Sequence, residues 1–402
     1  MRRAFQAIDW RLLAVVMAAG AMGEGFMGQL PVITGAAMDD LGLSHAQAGV
    51  LISVELLALA IGLASTTPFT GIIYRKRVAY RAFVTVLVGA GVSILINSYD
   101  AILVGRFICG LGEGVVIAVG TATVATSREP DRLMAQNFAG GVLVGALMLS
   151  ILPIVAAHYG LRGVYVGNLL CLMCFAPFLR LVPPAPREGA SWRTALQGVT
   201  EKTGSGRAAF VPYVLIAGMM CIVIMETASW SFVERKGVSL GMGPAEVGRW
   251  LATMFLSMFV GSVFAAILGT RWGRVIPFTV GGVLLVVGLF FALAAKTVPI
   301  FVFGLLSWNI AWVFLMPYYI GLLSSLDHEG RWNSMSSTIL VFTNVFGPLL
   351  GGAILSGVDA QGVADFGRLA VIASTGAMVG TVIVVPIMIV LGRRLALYDA
   401  RA

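Results

Sequence analysis

Long apolar segments alternate with short polar segments along the whole chain. Each apolar segment has at least about 18 residues, the length that an α-helix needs to cross a bilayer. The pattern predicts twelve membrane-spanning helices, six on each side of one longer polar segment. The predicted spans are 11–37, 46–69, 79–97, 100–124, 133–157 and 161–182, followed by 210–233, 245–269, 276–296, 298–323, 334–357 and 367–391.

The longer polar segment, residues 183–209, is rich in Pro, Gly and charged residues, as linkers are. It divides the chain into a predicted N-terminal six-helix bundle, 1–182, and a C-terminal six-helix bundle, 210–402. The loops SREPDR (127–132) and LDHEGR (326–331) follow the fourth and tenth spans, so the halves resemble each other. We therefore expect an all-α integral membrane protein built from two pseudo-repeats, an arrangement typical of secondary transporters.

Composition supports this fold class, because only 11% of the residues are charged and 58% are hydrophobic. Soluble domains carry about 25% charged residues, so this chain has too few charged residues to cover a water-facing surface. The net charge of +8 does not indicate nucleic-acid binding, since the basic residues lie in short loops. With both termini cytoplasmic, 20 of the 27 Lys and Arg residues fall on the cytoplasmic side and 6 on the opposite side. This asymmetry predicts that orientation.

The sequence shows no recognisable motif for catalysis, nucleotide binding or metal binding. The glycine-rich GLGEG (110–114) follows no strand and has no lysine after it, so it is neither a dinucleotide-binding loop nor a phosphate-binding loop. The three histidines are scattered near span ends, and the four cysteines lie in apolar segments. We expect no cofactor, no metal and no enzymatic activity.

The fourth span contains RFICGLGEGVV, in which Arg106 and Glu113 are seven residues apart. Seven residues are nearly two helical turns, so both side chains lie on one face. A charge at the bilayer centre costs at least about 2.5–3.5 kcal/mol, and such residues usually face a cavity. We expect Arg106 either to bind the substrate or to hold Glu113 ionised; a purely structural salt bridge is the alternative.

Three other glutamates lie well inside predicted spans, namely Glu24, Glu55 and Glu226. A carboxyl group in a low dielectric can bind and release a proton near neutral pH. We expect Glu24 and Glu226 to carry protons, with Glu113 and Glu55 as further candidates.

Aromatic and amide side chains in the seventh, tenth and eleventh spans are candidates for substrate binding. Trp308 and Trp312 share a helix face, and an aromatic face can stack on a cationic substrate. Helix packing is an equally open interpretation for these side chains. The predicted substrate-binding set comprises Arg106, Glu113, Trp230, Trp308, Asn309, Trp312 and Asn344.

These segments resemble the major facilitator superfamily of transporters. RFICGLGEG is similar to the arginine motif of the family's fourth helix and to the GxGE variant of Spinster-like lipid carriers. GIIYRKR (71–77) matches the family's basic loop in part, with Arg75 where the family has Asp. NVFGPLLGG (344–352) resembles the GPxxGG antiporter motif, displaced from the fifth span to the eleventh. The resemblance implies that the first, fourth, seventh and tenth helices surround a central cavity and that the two halves rock about it.

We therefore expect a proton-coupled secondary active transporter that exports small amphipathic or cationic compounds. Among the charged residues deep in the spans, four glutamates stand against one arginine, which favours a cationic substrate. Proton-coupled uptake of an organic solute such as an organic acid is the alternative, and a Spinster-like lipid carrier is a third. The expected location is a bacterial inner membrane, where the protein acts as a monomer. Its expected partners are a small-molecule substrate, protons and the bilayer, without nucleic acid.

Overall fold

The computed structural model describes residues 9–23, 25–190, 210–326, 331–357 and 364–399. These residues are almost entirely helical, and no strand occurs among them. Two short 3₁₀ segments, Thr67–Phe69 and Ala176–Leu181, follow helices. The α-helices are α1 (Trp10–Gly23), α2 (Gly25–Leu41), α3 (His45–Thr66), α4 (Arg75–Leu95), α5 (Tyr99–Ala125), α6 (Pro130–Phe175), α7 (Phe210–Ser239), α8 (Pro244–Leu268), α9 (Val275–Ala294), α10 (Val298–Leu326), α11 (Arg331–Thr343), α12 (Phe346–Leu355) and α13 (Phe366–Asp399).

Eleven helical stretches of the described chain are long and apolar enough to span a bilayer. One of them, Arg132–Leu181, has 50 residues and would extend about 75 Å as one helix, against a hydrocarbon thickness of about 30 Å. It bends at Gly160, where φ is 61° and ψ is −160°, a conformation that glycine adopts readily. The stretch therefore supplies two spans, and the predicted all-α fold with about twelve spans is confirmed.

The eleventh predicted span is not a continuous helix. Helix α11 ends at Thr343 and α12 begins at Phe346, so the apolar stretch Met335–Leu355 is interrupted at residues 344 and 345. Backbone groups freed by a break must find other partners inside a membrane. Here the Val345 carbonyl accepts a hydrogen bond of 2.7 Å from the Ser53 hydroxyl. The Asn344 side chain donates to the Leu340 carbonyl at 2.9 Å.

The described contacts divide the chain into two compact units. The first comprises residues up to Ala36 together with Val54–Gly204. Its core is formed where α1, α4 and α5 pack together, through side chains such as Val15, Phe83 and Val116. The division of the chain at the linker 183–209 stays a prediction, because residues 191–209 lie outside the described ranges.

The second unit comprises Ala37–Ser53 and the chain from Ser205 onwards. In its core, Phe232 of α7 packs with Leu355 of α12 and Leu369 of α13. Ion pairs also hold this unit together, since the Arg235 guanidinium binds Asp39 at 2.6 and 2.9 Å and Glu234 at 2.6 Å. The short segment Ala37–Ser53 is thus fixed to α7 by charge as well as by packing.

Glycines allow α3 and α5 to approach closely in the first unit. A Cβ atom added at Gly110 would meet the Glu55 carbonyl oxygen and lie 2.9 Å from the Ala58 side chain. A Cβ atom at Gly114 would lie 2.6 Å from the backbone nitrogen of Leu63. Small residues permit close contact between membrane helices. Gly110 and Gly114 therefore bring the backbone of α3 beside α5 at the level of Glu55.

We predict that Gly114→Ala destabilises the protein by about 1–3 kcal/mol, because the new methyl group overpacks the α3–α5 contact. The matched control is Gly91→Ala on α4, where an added Cβ meets nothing within 4 Å. That control should be neutral or stabilising by up to about 1 kcal/mol, from helix propensity. Thermal unfolding of the purified variants measures both effects. Equal midpoints for the two variants would contradict the close-packing account.

Candidate functional site

Arg106 lies on α5 in the interior of the first unit and is only 6% exposed. Its Nε donates a hydrogen bond of 2.7 Å to Glu55 Oε2, and its Nη2 pairs with Glu55 Oε1. Two parallel contacts of this kind form the strongest type of arginine–carboxylate pair. The principal partner of Arg106 is therefore Glu55 of α3, whereas the sequence spacing named Glu113.

Aromatic rings and a thiol complete the surroundings of the guanidinium. Its central carbon lies 5.1 Å from the ring centroid of Phe26 and 4.8 Å from that of Tyr165. These distances are within the range in which an aromatic face attracts a cation. The remaining nitrogen, Nη1, donates to the Cys109 sulfur at 3.5 Å. Every nitrogen of the Arg106 fork therefore has a partner within the unit.

Glu113 is buried nearly two helical turns from Arg106 on the same face of α5. Its Oε1 lies 3.8 Å from Arg106 Nη2, at the limit of an ion pair, and its Oε2 has no hydrogen-bond partner. If both glutamates are ionised, the group formed by Glu55, Arg106 and Glu113 carries one excess negative charge. An uncompensated buried carboxylate is costly. Glu113 is thus the member of the group whose charge still needs a partner.

A small cavity of about 30 Å³ borders Glu113 and Arg106. Its lining also includes Gln29 of α2 and Tyr165 of α6, whose side-chain oxygens are buried without a hydrogen-bond partner. The sequence analysis did not single out either residue. Gln29 carried a signal, since it is a polar residue within the first apolar run, whereas a single tyrosine in a span carries almost none.

Glu24, predicted to carry protons, lies outside the described residues.

In the second unit, Glu226 lies on α7 beside the interruption between α11 and α12. The Thr227 hydroxyl is 2.6 Å from Asn344 Oδ1 and 3.4 Å from Glu226 Oε2. One hydroxyl has one proton, so Thr227 donates fully to only one of these two oxygens. The structure therefore joins two predicted site residues, Glu226 and Asn344, through a threonine that the sequence analysis had passed over.

The predicted aromatic site residues of the second unit are mostly packed among themselves. Trp308 of α10 is 0% exposed, and its ring lies 6.4 Å from that of Trp230 at an angle of 78°. Trp230 in turn lies 5.7 Å from the ring of Phe255 on α8. A Cβ at Gly288 of α9 would lie 2.7 Å from the Trp308 Cα. Trp308 is thus enclosed between helices, whereas Trp312 is only half-buried.

Asn309 connects two helices of the second unit. Its side-chain nitrogen donates to the backbone carbonyl of Met254, which joins α10 to α8. Interhelical hydrogen bonds from amide side chains are a common means of packing in membranes. The contact accounts for a buried Asn309 through packing, so a role in binding substrate stays a prediction.

The remaining features are a second cavity in the first unit and the placement of potential metal ligands. A larger cavity, about 880 Å³, lies at the end of α5 in the first unit, with Asp9, Thr126, Arg128 and Gln136 in its lining. It shares no lining residue with the small cavity beside Glu113. Over the described ranges, no group of three or more His, Cys, Asp and Glu side chains is placed to hold a metal ion.

Comparison with known proteins gives one family and many similar folds. The sequence model of the family described as Major Facilitator Superfamily matches residues 5–326. The structure is similar to that of the nucleoside transporter NupG, with a TM-score of 0.72 and 12% identity over 94% of this chain and 99% of that one. A D-xylose-proton symporter is similar with a TM-score of 0.69 and 15% identity, over 92% of this chain and 95% of that one. The human organic anion transporter MFSD10 is similar with a TM-score of 0.64 and 17% identity, over 93% of this chain and 100% of that one. At these identities the likeness shows the shared fold.

We predict that Glu55→Gln destabilises the protein by about 3–5 kcal/mol, because it leaves a buried guanidinium without its bidentate carboxylate. Glu113→Gln is the matched control and should cost clearly less, since Arg106 keeps Glu55. The double variant Glu55→Gln/Arg106→Gln should cost less than the sum of the two single variants. Unfolding of the purified proteins in denaturant provides the measurement. Equal losses for Glu55→Gln and Glu113→Gln would overturn the assignment of Glu55 as the principal partner.

Proposed function

The chain belongs to the Major Facilitator Superfamily, and from this premise we propose that it is a proton-coupled secondary active transporter that works by alternating access. It is a multi-pass membrane protein of a family of transporters. The proposal adds to this the coupling ion, the residues that bind it, the type of substrate and the direction of transport.

The observation that carries the coupling proposal is the environment of Glu113. The Arg106–Glu55 pair is neutral as a unit, and Glu113 adds a buried carboxylate with one unpartnered oxygen. Binding a proton removes the cost of that charge, and entry of water or of a cationic group restores the ionised form. Glu113 therefore has the properties of a group that is loaded and unloaded during a transport cycle.

Glu226 is the second proposed coupling residue. When it is protonated, it can donate to the Thr227 oxygen while Thr227 donates to Asn344 across 2.6 Å. When it is ionised, it competes with Asn344 for the single Thr227 proton. The charge state of Glu226 is thereby linked to the break between α11 and α12. Discontinuous membrane helices are typical of transporter binding sites, which supports this role.

We propose export of small amphipathic or cationic compounds. The carboxylates of Glu113 and Glu226 attract cations, and the half-buried ring of Trp312 can stack on them. Uptake of an organic acid has less support, because it needs a guanidinium free to bind the substrate. All the Arg106 nitrogens are occupied by Glu55 and Cys109.

The proposed location is the inner membrane of a bacterium, with both termini cytoplasmic. The support is the distribution of Lys and Arg between the two sides. A green fluorescent protein fused after Ala402 should then fluoresce, and alkaline phosphatase fused there should be inactive. As the control, phosphatase fused after Thr297, in the predicted external loop between the spans 276–296 and 298–323, should be active. An active phosphatase at the C-terminus and an inactive one in the external loop would contradict the proposed orientation.

Proton coupling is tested by flux through proteoliposomes. A thermal-shift screen of amines, cationic dyes and organic acids first identifies a compound that stabilises the purified protein. An imposed pH gradient should accelerate its transport by the wild type. Glu113→Gln and Glu226→Gln should lose the effect of the gradient yet retain exchange of the compound, because loading with a proton is bypassed. Glu246→Gln, at the start of α8, is the matched control and should behave as wild type. A wild-type transport rate that does not change when the pH gradient is imposed would exclude proton coupling.

A further inference from the structure

Three residues that line one small cavity in the first unit each have a buried side-chain oxygen without a hydrogen-bond partner. These oxygens are Glu113 Oε2, Gln29 Oε1 and the Tyr165 hydroxyl, and their side chains line the same cavity of about 30 Å³. The exposed fractions of these residues are 3%, 5% and 2%. Buried polar atoms in proteins are almost always satisfied. We call this cavity and its three lining oxygens the oxygen chamber.

The size of the oxygen chamber limits what it can bind. In this conformation a volume of about 30 Å³ takes one or two particles the size of water, which is too little for an organic solute. Its occupant is therefore an ion or a solvent molecule, distinct from the transported compound.

The charge and donor chemistry of the chamber limit the occupant further. A carboxylate and an amide carbonyl only accept hydrogen bonds, and a phenolic oxygen has lone pairs as well as a proton. Hard cations take oxygen ligands of these kinds. Because Glu55 balances Arg106, Glu113 leaves one negative charge. One monovalent cation neutralises it, whereas a divalent cation would leave a buried excess of positive charge.

We infer that the oxygen chamber binds a sodium ion in competition with the proton, with Glu113, Gln29 and Tyr165 supplying the ligand oxygens. This inference rests on the proposed coupling role of Glu113 and extends it to a second ion. The ion and the proton exclude each other, since both neutralise the same carboxylate. The transporter can therefore draw on either cation gradient.

Other titratable groups around Glu113 affect the competition. Arg106 and Cys109 lie on its own helix, Glu55 on α3, and Tyr165 and Cys171 on α6, while α4 contributes the apolar Val86 and Ala90 to the lining. Of these groups, Glu55 is engaged by Arg106 through two contacts. Glu113 is thus the described group whose protonation competes directly with the ion.

The test is equilibrium binding of radioactive sodium to the purified full-length chain, with choline chloride keeping the ionic strength constant. Saturable binding is expected at mildly alkaline pH, and it should weaken as the pH falls through the range in which Glu113 is protonated. Glu113→Gln, Tyr165→Phe and Gln29→Leu should each weaken binding by about 10- to 100-fold. Tyr165→Phe keeps the ring beside Arg106, so this variant tests the ligand without removing the packing. The matched control is Tyr319→Phe in the second unit, where the hydroxyl bonds Ser336, and it should bind as wild type.

Absence of saturable sodium binding in the wild type would overturn the inference, and so would binding that neither Tyr165→Phe nor Gln29→Leu weakens. The proton-gradient flux assay separates this result from the proposed function. If the pH gradient drives flux and sodium does not bind, the chamber inference fails and proton coupling stands. If sodium binds through these three residues and the pH gradient has no effect, proton coupling fails and the chamber inference stands.

Discussion

The first unit is organised around one constraint, the need to neutralise a guanidinium that is buried and does not lose its charge. Arginine stays protonated in proteins, so a carboxylate must lie within reach. Glu55 meets this need through two contacts from a neighbouring helix. That geometry requires α3 and α5 to approach closely, and the glycines of α5 at positions 110 and 114 permit it. Helix packing and charge balance are therefore two aspects of a single arrangement.

Pairing Arg106 with Glu55 determines the chemistry that is left for Glu113. Two carboxylates and one guanidinium cannot all be balanced at once. Because Glu55 holds the bidentate position, Glu113 stays at 3.8 Å with one oxygen unpartnered. A small cavity with two more unpartnered oxygens adjoins it. The structural pair thus leaves the neighbouring glutamate available to bind a mobile cation, which is the basis of both proposals for this unit.

Sequence periodicity predicted the spans well, because a span is a local property of about 20 consecutive residues. It also predicted that Arg106 and Glu113 share a face, since helical spacing fixes that relation. The pairing with Glu55 was beyond its reach, because the two residues are 51 positions apart and their contact depends on how two helices pack. For the same reason Tyr165 was missed, whereas Gln29 was visible as a polar residue within an apolar run. The break at Asn344 carried a local signal that the sequence analysis did not use, since Pro348 has no N–H to donate to the Asn344 carbonyl.

Residue type did not distinguish packing from ligand binding in the second unit. Trp308 and Asn309 are adjacent on α10 and both looked suited to a substrate, yet the structure encloses one between helices and bonds the other to α8. Glu226 differs because its contact leads to Asn344, where the helix is interrupted. The two proposed coupling residues therefore stand in unlike surroundings. Glu113 lies beside the charged Arg106 and a small cavity. Glu226 lies beside the Thr227 hydroxyl, which donates to Asn344 at the break between α11 and α12. On the proposed mechanism, the first is suited to binding the coupling ion and the second to transmitting its charge state to the helices.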